Sequence, residues 1–297
     1  MSRRIRHIGI VFAVLLTALP LQAKKPQPAP LTTEQQQQFT YYWYAARQAL
    51  DKVRYADAYA LLEFCHAIKP DDPQTLYYLG VIQSALEQED EAKQYFEQAY
   101  HLQKGPHSED LLMRLGNIYI NQRDWKKALK IRDELDQLNG YDAYSAITRY
   151  RIYVSAGQPK EALQAIDAYL KTDPSNLRFM LFRIDVLEHI GAKPKVLYEA
   201  YDRVLELDPF NLMVLNNYAY LLSTHKGDLK RAERMSEITI REQPSNAVYL
   251  DTYGWILHLQ GQNDLAKFYL ERALWNAADE KTKAEVTRHL EKVKAEK

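Results

Sequence analysis

Eight histidines, a single cysteine and a few close-set acids are the residues of this 297-residue chain whose types could carry chemistry. Their spacing does not assemble a reaction centre. His101 and His107 stand six apart, but Pro106 lies between them and prevents the helical pairing that a zinc site on one face requires. Asp71-Asp72 and Glu89-Asp90-Glu91 fall where helices begin, so capping or solvation accounts for them. Cys65 alone can build neither an internal disulfide nor a thiolate metal site. No glycine-rich phosphate loop, no serine on a strand-to-helix elbow and no histidine pair at metalloprotease spacing occurs. The expectation is a non-enzymatic chain with no metal and no cofactor.

The elements that would position any site come next. Lys plus Arg and Asp plus Glu each number 39, so formal charge is zero, without the basic excess of a dedicated nucleic-acid binder. Residues 1–23 read as an export signal. Arg3, Arg4 and Arg6 precede an uncharged, largely apolar run from Ile8 to Leu21, and Ala23 suits a cut. The run is too short to span a bilayer, and no cysteine at the cut invites a lipid. The mature chain is therefore expected to be periplasmic or secreted, with no membrane span and a charge of about −3 once three arginines are lost. Residues 24–38 carry three prolines and a glutamine run, and read as an extended linker.

From residue 39 onward the apolar spacing is helical throughout. Pro174, Pro209 and Pro244 recur at an interval of 35, and with Pro70 each is followed two residues later by Asp or Asn. Proline stops one helix, and the acid or amide caps the next. Small residues recur at one point (Ala46, Gly80, Gly116, Ala219, Gly254) and at another (Ala58, Ala92, Ala128, Ala162, Ala232, Ala266), where paired helices would cross closely. Gly157, Gly191, Gly227 and Gly261 suit left-handed bends between them.

This pattern resembles the tetratricopeptide repeat, a 34-residue helix–turn–helix unit. The copy Leu76, Leu79-Gly80, Ala92, Phe96, Ala99 carries the likeness best, followed by Leu250, Tyr253-Gly254, Leu257, Ala266, Leu270, Ala273. Seven units are expected, at 39–72, 73–106, 109–142, 143–176, 178–211, 212–246 and 247–280. Residues 281–297 would form a capping helix with a stripe of Val286, Leu290 and Val293. The fourth and fifth units place Tyr150 and Asp185 where a small residue is expected, so a break or a bend in the array is expected there.

The resemblance implies an all-α solenoid coiled as a right-handed superhelix, with ligand contacts on first-helix positions that face the concave groove. Two rows result. One reads Tyr44, Tyr78, Arg114, Thr148, Arg183, Asn217, Thr252; the other Arg47, Val81, Asn117, Arg151, Val186, Tyr220, Trp255. Neither contains an acid. Arg114, Asn117, Arg151, Arg183 and Asn217 at the centre suit an anionic or amide-rich ligand, because Arg forks onto carboxylates and Asn pairs with peptide backbone. The set loosely resembles the carboxylate clamp of chaperone-binding members, without the clamp's full complement over three consecutive units. Tyr44, Arg47, Tyr78, Tyr220 and Trp255 would flank it. The expected function is a protein-interaction scaffold of the cell envelope that holds an extended peptide or a partner helix. The alternatives are a carbohydrate-binding module using the aromatics, an accessory subunit of an envelope assembly or secretion complex, and self-association through an array end. Most other tyrosines, Tyr77, Tyr100, Tyr119 and Tyr201 among them, are expected to fill gaps between helices with hydroxyls at the surface.

Overall fold

The computed structural model describes residues 30–225 and 227–295; the expected signal, 1–23, lies outside them. The described residues form fifteen helices: α1 Thr33–Asp51, α2 Tyr55–Ile68, α3 Pro73–Ala85, α4 Glu89–Leu102, α5 Glu109–Asn121, α6 Trp125–Asn139, α7 Ala143–Ser155, α8 Pro159–Leu170, α9 Leu177–His189, α10 Pro194–Leu207, α11 Leu212–Thr224, α12 Leu229–Glu242, α13 Ala247–Leu259, α14 Asn263–Asn276 and α15 Glu280–Ala295. The chain divides into two compact units at Asp71/Asp72. The first holds the hairpin α1–α2. The second holds six hairpins, α3–α4 to α13–α14, followed by α15.

The stop-and-cap reading holds at atomic level. Asp72, Asn176, Asn211 and Asn246 each accept a backbone N–H from the first turn of α3, α9, α11 and α13. Ser108 and Asp142 do the same for α5 and α7. The first helix begins earlier than expected. Thr32 and Gln35 form a reciprocal capping box, so α1 starts at Thr33 and takes in the glutamines assigned to the linker.

Small residues sit at the hairpin crossings. A Cβ on Gly80 would lie 2.7 Å from the Phe96 ring, and one on Gly254 would lie 2.8 Å from Leu270. Only a hydrogen fits at either place. Among the described residues, six of the seven hairpin bends pass through a left-handed residue, at Val53, Glu87, Arg123, Gly157, Gly191 and Gly261. Gly227 departs from expectation: its φ is not left-handed, and Leu222 and Tyr198 crowd it.

The core of the second unit runs through its hairpins. Leu76, Phe96, Leu112 and Leu135 centre one cluster, and Ala146, Ile166 and Phe179 the next. Leu197, Tyr201, Val204 and Tyr218 centre a third. Leu250, Leu257 and Leu270 meet Val286, Leu290 and Val293 of α15, so the thin stripe on that helix is buried as a cap. No division falls at the fourth and fifth hairpins. There the two irregular residues meet: the Tyr150 hydroxyl donates to Asp185 at 3.3 Å while its ring stacks on Phe182.

The tyrosine hydroxyls end on carboxylates rather than in open solvent. Tyr77 donates to Asp110, Tyr100 to Glu134, Tyr119 to Glu97 and Tyr201 to Glu188. Burial and, after it, the carboxylate push the Tyr77 hydroxyl up to about 12, so it stays a donor. These bonds join neighbouring helices, each engaging one oxygen of its carboxylate. In the first unit, Cys65 is fully buried, and its thiol lies 3.9 Å from the carbonyl of Phe39.

Candidate functional site

The expected contact residues divide between the two units. Tyr44 and Arg47 belong to the first unit, where Tyr44 is 69% exposed and Arg47 half-buried. Within the second unit Tyr78 is half-buried on α3. Arg114 and Asn117 on α5 share a cavity of about 350 Å³ with Glu87, Glu89 and Phe96. Arg114 is not a free cation. Its Nε lies 2.7 Å from Asp110, one turn earlier on the same helix. Burial works against the guanidinium charge, and Asp110 more than restores it. Arg183 is engaged the same way by Asp167 of α8, at 2.7 Å. Arg151 is exposed on α7, outside either cavity. The rows contain no acid, but the acids stand beside them and neutralise two of the three central arginines.

Val186 also leaves the expected groove, being 2% exposed. Trp255 is half-buried. It stacks at 4.5 Å on His289 of α15, with the Lys292 ammonium 5.1 Å from its ring. The ring that was to offer itself to a sugar or peptide instead holds the cap. His289 is fixed from the other side by Asp251, whose carboxylate oxygens lie 3.0 Å from Nδ1.

Asn217 and Tyr220 do come together. With Thr252 they line a cavity of about 740 Å³ formed by the α9–α10 turn, α11, α13 and the start of α15. Pro194, Leu197, Leu221 and Val248 supply apolar wall, and Glu188, Asp251 and Glu285 supply carboxylates. Asn216, beside Asn217, also lines it. Its Nδ2 donates to the Asn217 side chain at 3.3 Å, while its buried Oδ1 has no hydrogen-bond partner. Burial first, then the charges of Glu285 and Asp251, push the Tyr220 hydroxyl up, so it faces the cavity protonated. The size and the mixture of apolar wall and few polar groups are those of a binding cavity. Thr224 Oγ1 lies 3.1 Å from His225 Nδ1 in the lining, and the hydroxyl also lies within donating distance of the Tyr220 and Leu221 carbonyls of its own helix.

Tetratricopeptide repeat family models match residues 73–105, 148–212 and 200–234, on hairpins at the start and in the middle of the second unit. The chain carries tetratricopeptide repeats. Among solved structures, a tetratricopeptide repeat protein from Parabacteroides merdae ATCC 43184 is 17% identical, covering 87% of this chain and 99% of that one, with a TM-score of 0.43. A segment of MamA from Desulfovibrio magneticus RS-1 is 18% identical, covering 59% of this chain and 97% of that one, with a TM-score of 0.42. No curated protein matches the chain.

Reading first-helix rows at the usual tetratricopeptide contact positions missed Asn216, Asp251, Glu188 and Glu285. A signal for two of them is present in the sequence. The position three before the recurrent small residue is Trp43, Tyr77, Met113, Ile147 and Phe182 in the first five units. In the last two it is Asn216 and Asp251. Polar residues in an otherwise apolar column of a repeat mark a place where packing has been given up for something else. Glu285 comes from the capping helix, which no repeat alignment reaches.

Proposed function

We propose that this chain is a non-enzymatic scaffold that seats a segment of a protein partner in the cavity between α9, α11, α13 and α15. One observation carries the reading: a cavity of about 740 Å³ lies on first-helix positions of consecutive repeats and gathers Asn217 and Tyr220 with apolar wall. Stacked repeats present such surfaces to partners. Asn side chains satisfy the backbone of an extended segment, and Tyr supplies rigid contact area. Among the described residues no helix is long and apolar enough to cross a membrane. We place the scaffold in the cell envelope on the reading of residues 1–23 as an export signal, which N-terminal sequencing of the mature protein tests.

The site is tested by photocrosslinking. A crosslinkable residue placed at Asn217 or Tyr220 is expected to capture a discrete partner, and one at Arg151 is not. Asn217→Arg is then expected to weaken the purified partner at least tenfold with folding retained. Capture from Arg151 alone, or an affinity indifferent to Asn217→Arg, would move the site elsewhere.

A further inference from the structure

We propose that the group this cavity takes from its partner is cationic: a lysine or arginine side chain, or a free amino terminus. This rests on the scaffold reading and reverses the anionic preference expected of the central arginines.

Four features of the cavity converge. Among the described residues, its lining carries the carboxylates Glu188, Asp251 and Glu285 against one ammonium, Lys193, and one imidazole, His225. Each carboxylate has one neighbour already: Tyr201 for Glu188, His289 for Asp251 and Arg288 for Glu285. A carboxylate offers about four acceptor sites, so each keeps capacity for an incoming donor. Asn216 is 3% exposed, and its Oδ1 is unpartnered. A buried acceptor without a donor is rare in folded proteins and marks a place for one. Asn216 and Asp251, the latter 6% exposed, stand in the column that is apolar in the other five units, so this polarity is particular to the cavity rather than general to the repeats. Finally, Pro194, Leu197, Leu221 and Val248 provide an apolar wall beside the acceptors. That pairing fits a long aliphatic stem ending in a charge, which buries the stem and presents the head. An incoming carboxylate would face three like charges and find, among the described lining residues, Lys193 and His225 to receive it.

The test uses the full chain and a fluorescein-labelled tetralysine peptide blocked at its amino terminus, read by fluorescence anisotropy. Tetraglutamate is the opposite-charge probe, and a labelled tetraglycine with a free amino terminus separates terminus from side chain. Saturable binding of either cationic probe, weakened at least tenfold by the double variant Glu188→Gln/Glu285→Gln, supports the proposal. Asn216→Leu is expected to weaken it further. Because Asn216 is buried, circular dichroism checks that variant, and the Glu285→Gln change near the cavity rim stands as the independent one. Tighter binding of tetraglutamate, no binding of either cationic probe, or tetralysine affinity unmoved by the glutamine variants overturns the cationic assignment. Those results leave crosslinking from Asn217 intact as evidence of a scaffold. Cavity-dependent tetralysine binding without crosslinking overturns the scaffold reading instead.

Discussion

The two ends of the second unit use one hairpin geometry and leave different surfaces. Around α3–α6, Gly80 admits Phe96, and charged groups meet an opposite or accepting partner: Arg114 with Asp110, Lys127 with Glu97, Tyr100 with Glu134, and the buried Arg132 Nε, which makes no hydrogen bond, still lies 3.3 Å from Asp136 as an ion pair. Around α11–α15, Gly254 admits Leu270 in the same way, yet Asn216 keeps a buried oxygen unpaired beside a cavity of about 740 Å³. Close packing is therefore common to both ends, while polar satisfaction is not. The difference separates what holds the repeats together from what remains available to bind.

The largest expected effect tests the shared part. Gly80→Val and Gly254→Val force a side chain into a crossing with no room, and each is expected to cost about 3 kcal/mol, read from urea or thermal melts. If Gly254→Val were tolerated and Gly80→Val were not, the two ends would not share a packing rule. Next comes binding. Tyr220→Ala is expected to weaken the partner tenfold or more, a loss of about 1.4 kcal/mol or greater. Arg114→Ala is expected to change affinity less than twofold, because its guanidinium is already paired. A reversed order would move the site to α5. Smaller again is the effect of Trp255→Ala. Loss of the stack on His289 should remove about 1 kcal/mol beyond the area uncovered. It should appear as faster amide exchange in α15 than in α3–α6.

The smallest effect is a dependence on acid. Burial raises the carboxyl of Asp110, but the bonds from Tyr77 and Arg114 outweigh it and hold the group below the ordinary range. Glu97 is held low in the same manner by Lys127 and Tyr119. Their contribution is complete above the unfolded carboxylate values and is lost as pH falls through the lower folded ones. Melting midpoints measured from neutrality into this acid range should fall less steeply in Arg114→Gln than in the parent. An unchanged slope would mean that these pairs, half exposed to solvent, add nothing to folding.

Sequence carried most of the architecture because its cues are local. A proline stop followed by Asn176, Asn211 or Asn246 needs no distant partner, and each caps a helix as its spacing requires. The start of α1 was equally local: Thr32 and Gln35 spell a capping box, which the neighbouring prolines overshadowed. The site was less legible because it depends on charges brought in from other helices. Asp167 reaches Arg183 from α8, and Glu285 reaches the cavity from α15. Such encounters follow from the fold and leave no spacing behind. The apolar column broken by Asn216 and Asp251 is the exception, visible to anyone who compares units rather than reading each alone.

The contact between Tyr150 and Asp185 bears on how this chain can be rearranged. Both residues occupy the small-residue point of their hairpins, and each accommodates the other across the boundary between them. The fourth and fifth repeats are thereby joined, at the point where other units carry a small residue, by a hydrogen bond and a ring stack instead of a bare crossing. Moving either repeat alone would part the hydroxyl from its carboxylate, whereas the pair moved together keeps the bond. A cut through the array preserves this contact when it falls on either side of the pair.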